Sequence, residues 1–137
     1  MPQIPDDLDL PPQQTLTFAQ QLLDDGLAFN AHEVLESAWK NGPFAEKMLW
    51  QALAQYAVGI THLQRGNPKG ARTLLTRAIR RLEAYLRGDS SPTTEFPYDI
   101  DGPGIIAHAQ QLLDALDRDA PITDADLAAT LCLPRRD

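Results

Sequence analysis

The chain is predicted to be all-α: a compact bundle of five or six helices around a central antiparallel helical hairpin. Three observations predict it. Apolar residues recur at spacings of three and four along most of the chain. Gly26, Asn41-Gly42-Pro43, Gly66-Asn67-Pro68 and Gly88 divide those runs into helix-sized pieces. No alternating apolar run and no turn between β-branched residues competes for a strand.

Residues 1–14 hold Pro2, Pro5, Pro11 and Pro12, which fix φ and remove backbone donors, so an extended arm is expected there. A first helix runs from Thr15, with Leu16, Ala19, Leu22 and Leu23 on one face, and ends at the Asp25-Gly26 turn. Asn30, with Glu33 three residues on, has the pattern of a capping box, flanked by Phe29 and Val34 as a hydrophobic staple. A second helix is therefore expected to start near Asn30 and to stop at Asn41-Gly42-Pro43. A third is expected from about Phe44 to Arg65, and a fourth from Pro68 to about Arg87, with Asn67 as its cap. The fourth is the cleanest amphipath: Ala71, Leu74, Leu75, Ala78, Ile79, Leu82, Tyr85 and Leu86 share one side. So short a link makes the third and fourth helices a hairpin. Gly59, Ala71, Leu75 and Ala78 loosely match a tetratricopeptide unit, but one unit is visible and a solenoid needs about three.

Residues 88–104, rich in Gly and Pro, read as a long crossing pinned by Phe96, Tyr98 and Ile100. A fifth helix is expected over Pro103–Asp117. Thr123-Asp124-Ala125-Asp126 resembles a further helix start, giving a short last helix over 124–131. The domain is thus expected over 15–131, with 132–137 as a tail.

Composition bounds the function. The 137 residues are 43% hydrophobic and 23% charged, as a single globular domain would be. A net charge of −7 argues against general nucleic-acid binding and against adhesion to anionic membranes. The lone Cys132 allows no internal disulfide, and the acidic, Pro-rich start lacks the basic residues of a leader, so a cytoplasmic protein is expected. No apolar run reaches the roughly 18–20 residues of a membrane span.

Chemistry concentrates on the second and third helices. His32, Glu36 and Trp39 fall within about 60° of one another on a face distinct from the core face, with Phe29 beside them. A face bearing Phe and Trp is expected to be half buried, so its His and Glu need partners. On the third helix Gln51, Gln55, Val58 and His62 form another stripe. Either that stripe faces the second helix and completes a polar cluster with His32 and Glu36, or it faces water. The segment 65–87 carries seven basic residues against one acid, a local +6 that leaves −13 on the remainder. Arg72, Arg77 and Arg80 on its outer side read as a docking face for an acidic partner or for a phosphate backbone, which the net charge opposes, or simply as a solvated face.

Two blocks carry a resemblance: Ala31-His32-Glu33-x-Leu35-Glu36-x-x-Trp39 followed by Gln51, and His62-Leu63-x-x-Gly66-Asn67-x-x-Gly70-Ala71-x-x-Leu74-Leu75. Together they resemble the family known as domain of unknown function 309, over residues 16–102. The resemblance implies a small bundle of four or more helices and no established activity. It marks His32, Glu33, Glu36, Trp39, Gln51 and His62 as signature positions.

Three uses of the cluster stay open. It can be a hydrogen-bonded network holding the second helix to the third, with Glu36 accepting from His32, His62 or the Trp39 indole. It can be a ligand or metal site on His32, Glu36 and His62, although the second His of a zincin and the Glu-x-x-His of a di-iron bundle are both lacking. It can be an acid/base pair of a hydrolase-like enzyme, although no nucleophile completes a triad. The expected function is non-enzymatic binding or scaffolding, with no cofactor. The expected partner is a protein or small ligand, and the chain itself a monomer or homodimer.

Overall fold

A computed structural model describes residues 9–87 and 96–134. Five helices follow in order: α1 (Pro12–Asp24), α2 (Ala28–Asn41), α3 (Lys47–Gln64), α4 (Pro68–Arg87) and α5 (Gly102–Asp117). Single 3₁₀ turns lie at Phe44–Glu46 and Pro97–Asp99. Each helix packs chiefly on its neighbour in sequence: α1 on α2, α2 on α3, α3 on α4, α4 on α5. α3 is the innermost. Between Leu49 and Thr61 every residue except Gln51, Gln55 and Val58 is buried, because this helix is apolar on nearly all sides and has a helix on both flanks.

Two glycines make the sharp corners. Gly26 (φ 75°) and Gly66 (φ 71°) adopt the left-handed conformation that costs Gly nothing. At each, the following residue turns back onto the helix it leaves: Leu27 N–H donates to the Leu22 carbonyl and Asn67 N–H to the His62 carbonyl, both at 2.8 Å. At the first corner this hands the chain straight to α2, which begins at Ala28. Asn30 is therefore not the cap. It lies in the first turn, its amide donating to Glu33 Oε1 at 3.3 Å, and no side chain caps α2. Phe29, instead of stapling Val34, is 42% exposed. At the second corner Asn67 does cap α4, its Oδ1 accepting from Gly70 N–H at 3.2 Å.

The other boundaries shift for local reasons. α1 starts at Pro12 rather than Thr15, since a proline's preset φ and missing N–H suit the first helical position. Of the arm expected over 1–14, Pro12–Gln14 join α1, and residues 1–8 lie outside the described residues. Phe44–Glu46 form a 3₁₀ turn leading into α3. Of the expected crossing, 88–95 lie outside the described residues. Beyond them Phe96 stacks on Tyr85 at 5.7 Å, and Phe96 and Ile100 join the core.

The short helix expected over 124–131 does not form. The Asp126 carboxylate accepts from both the N–H and the hydroxyl of Thr123, closing a single turn. After it Ala129 and Leu131 are buried while Ala128 and Thr130 are exposed, the period of an extended chain, not a helix. Residues 128–133 run as a strap over the bundle. Ile100 and Cys132 form an isolated antiparallel bridge. Asp101 N–H donates to the Leu131 carbonyl and Leu133 N–H to the Asp99 carbonyl, both at 2.8 Å. Gln20 of α1 grips the same strap, donating to the Ala129 carbonyl and accepting from Leu131 N–H at 2.8 Å each. Among the described residues there is no strand beyond this bridge, and no helix is long and apolar enough to cross a membrane.

Candidate binding face

On α2 the (i, i+4) spacing of His32 and Glu36 stacks them one turn apart. His32 Nε2–H donates to Glu36 Oε2 at 2.9 Å, and Lys40 donates to the other carboxylate oxygen at 3.1 Å. The His32 and Glu36 side chains are 21% and 31% exposed, so this ladder lines an open face. Phe29 lies beside the His32 ring (5.5 Å between centroids), and the Arg65 guanidinium at the end of α3 sits 5.0 Å over Phe29. With Nε2 committed to Glu36, His32 Nδ1 is a buried lone pair without a partner. Trp39 is half buried against the core, and its carbonyl accepts from Lys47 at 3.1 Å.

The Gln51/Gln55/Val58/His62 stripe, which Met48 extends, is the half-open side of α3. Its hydrogen bonds run to α4 and not to α2. Gln55 Oε1 accepts from Arg81 Nε–H at 3.0 Å, and His62 Nδ1 accepts from the Asn67 amide at 3.1 Å. A Cβ on Gly70 would meet His62 Nδ1 at 2.8 Å, so the small residue in Gly66-Asn67-x-x-Gly70 makes room for that ring. The single polar cluster expected across α2 and α3 is therefore two groups. Glu36 accepts from His32 and Lys40, and neither His62 nor the Trp39 indole is among its partners. Among the described residues no three His, Cys, Asp or Glu side chains converge as a metal site requires.

The basic row divides likewise. Arg72 pairs with Asp117 of α5, and Arg81 with Gln55, while Arg77 and Arg80 are exposed and make no ion pair among the described residues. The half-open stripes of α2 and α3 and the α4 edge with Arg77 and Arg81 form one continuous face. Arg65 over Phe29 joins it to α2, and Arg81 on Gln55 joins it to α4. Four cavities of 350–510 Å³ lie elsewhere, none lined by His32, Glu36, Trp39, Gln51, Gln55 or His62.

Two polar networks escape sequence reasoning. The buried Tyr56 hydroxyl donates to His108 Nδ1 at 2.5 Å, and His108 Nε2–H donates to the Asp126 carbonyl at 2.7 Å, fastening α3, α5 and the Thr123 turn together. Burial holds the Tyr56 phenol far above its ordinary range. Elsewhere Glu46 accepts from the Trp50 indole N–H at 3.1 Å and from the Tyr98 hydroxyl at 2.6 Å. That hydrogen bond, with some burial, pushes the Tyr98 phenol up to about 12. Only the (i, i+4) spacing of Glu46 and Trp50 was visible in the sequence. The other partners are 18 or 52 residues apart and share no local pattern.

A small all-helical protein with a polar and aromatic face over its three middle helices is the class these features define. The family model described as "Domain of unknown function (DUF309)" matches residues 16–74, from the first turn of α1 into α4. That is shorter than the 16–102 over which the motifs resemble the family. A relative, the "Uncharacterized protein YpuF" of Bacillus subtilis (strain 168), is 40% identical over 60 residues, which is 43% of this chain. The chain spans 34% of that relative's length. No solved structure matches.

Proposed function

We propose that the chain is a non-enzymatic binding or scaffolding protein of the cytoplasm. It presents the α2–α3–α4 face to a protein partner: His32, Glu33, Glu36, Trp39, Gln51, Gln55 and His62, edged by Arg77 and Arg80, while Arg72 is engaged with Asp117 of α5. One observation carries this reading. The His and Glu side chains that catalysis would gather are bonded in two separate, half-open groups, whereas Phe29 and the exposed Arg77 and Arg80, which make no ion pair among the described residues, are offered to solvent. Exposed aromatic and arginine side chains are the residue types that anchor protein interfaces, and the two arginines favour an acidic partner.

A second reading, a metal-dependent or acid/base hydrolase using His32, Glu36 and His62, draws on the partnerless lone pair of His32 Nδ1. One experiment separates them. A photo-crosslinking residue is placed in cells at Gln51 or Arg80, on the face, and at Gln110 on the exposed side of α5, and the metal content of the tag-free protein is measured alongside. The binding reading expects a discrete adduct from Gln51 and Arg80 only, lost in Arg77→Glu. Identical adducts from all three positions overturn it. So does stoichiometric Zn, Fe or Mn that disappears in His32→Ala and His62→Ala.

A further inference from the structure

A cavity of about 480 Å³ lies on the other side of α2, between the first turn of α1, the last turn of α2 and the segment leading into α3. Part of its wall is apolar, formed by Leu10, Pro11, Pro12, Val34 and Trp50, and Thr15 and Asn41 are polar members of it. Ser37 lines it too, and is only 7% exposed. A helical serine ordinarily satisfies its hydroxyl on the carbonyl one turn back. The Ser37 hydroxyl makes no hydrogen bond among the described residues and is left open to this space.

Among the described residues, the charged side chains that line the cavity have one sign. Asp9 and Glu46 line it and no basic residue does. Glu46 is held in place by the Trp50 indole and the Tyr98 hydroxyl. The last turn of α2 adds the negative end of a helix, and that end already holds one ammonium, Lys47 Nζ, on the Trp39 and Lys40 carbonyls at 3.1 and 3.5 Å. The opposite end of a helix would attract an anion, but α1 enters the cavity through Pro11 and Pro12, which have no N–H to give.

We propose that this cavity binds a small organic ammonium ion with an apolar body. The body packs between the α1 prolines and Trp50, the Ser37 hydroxyl accepts an ammonium N–H, and Asp9 and Glu46 balance its charge. The site is independent of the α2–α3–α4 face.

The test follows the Trp50 indole N–H by NMR in the full chain during titration with 2-phenylethylammonium and, separately, with 3-phenylpropanoate, its anionic near-isostere. Expected are a saturable shift with the ammonium at about millimolar affinity, none with the carboxylate, and affinity about tenfold lower in Ser37→Ala and in Glu46→Gln. Glutamine can still accept from Trp50, and Asp9→Asn, on a fully different segment, serves if that variant fails to fold. Equal shifts with both compounds, no saturable shift with the ammonium, or unchanged affinity in the variants would each overturn the proposal.

Discussion

At the residue scale, the buried groups that matter are the ones whose partners come from far along the chain. Tyr56 is 1% exposed, whereas His108 is half open, so removing either partner has unequal results. Tyr56→Phe leaves His108 Nδ1 able to turn to water and is expected to cost about 1 kcal/mol. His108→Ala strands the buried hydroxyl and frees the Asp126 carbonyl, and is expected to cost about 2–3 kcal/mol. Urea unfolding of both variants checks the order. Glu36→Ala, which would be severe in a closed cluster, is expected to cost no more than about 0.5 kcal/mol, since an open (i, i+4) ladder contributes little. Tyr98 gives a pH dependence. Its folded-state pKa lies above the unfolded value of 10, at about 12, so the folded chain keeps a proton that the unfolded chain releases. The Tyr98 contribution to stability is therefore level below pH 10 and is lost as pH rises from 10 to 12. Tyr98→Phe should make the alkaline fall in melting curves shallower, with the part due to Tyr56 remaining, and an identical slope in the variant would refute the assignment.

At the element scale, the helices were legible in the sequence because 3.6-residue periodicity and Gly/Pro punctuation are local signals. Their ends were less so. The Asn30 capping pattern misled because the Gly26 corner, satisfied by Leu27 N–H on Leu22, starts α2 before Asn30 can cap it. Thr123–Asp126 misled because its carboxylate closes one turn completely, after which burial of Ala129 and Leu131 demands an extended chain. The candidate face was half legible. Both stripes were placed correctly on their helices, but periodicity says nothing about which neighbour a stripe meets, and Gln55 and His62 turned out to bond to α4. Close approach within the α3–α4 hairpin yields its own prediction. A Cβ on Gly59 would meet Leu75 Cδ2 at 2.6 Å and Cγ at 2.7 Å, and Leu75 is fully buried. Gly59→Ala gains about 1 kcal/mol of helix propensity but forces repacking that costs about 1–3 kcal/mol. A net fall in melting temperature is expected, and a rise would mean that the hairpin yields more readily than its packing suggests.

At the scale of the whole molecule, the family match and the folding unit do not coincide. Residues 16–74 end within α4, before Leu75, Ala78 and Leu82, which are buried in the core, before α5, whose His108 bonds Tyr56, and before the strap, which Gln20 fastens to α1. A fragment of residues 16–74 is therefore expected to lack a cooperative thermal transition and near-ultraviolet circular dichroism, both of which the full chain should show. A cooperative fragment would mean that α1 to α3 carry enough core of their own.

Gln20 bears on the order in which this molecule is made. Every main helix contact joins chain neighbours, so α1 to α5 can assemble progressively as the polypeptide lengthens, the hairpins of α1 to α4 each closing over a short connection. The two bonds of Gln20 instead span 109 and 111 residues. They can form only after Leu131 has left the ribosome, when all five helices are already outside. Until then Gln20 faces solvent, and the strap sites beside it stand uncovered. Assembly therefore includes a late step, in which one glutamine on the first helix fastens residues 128–133 across helices that are already in place.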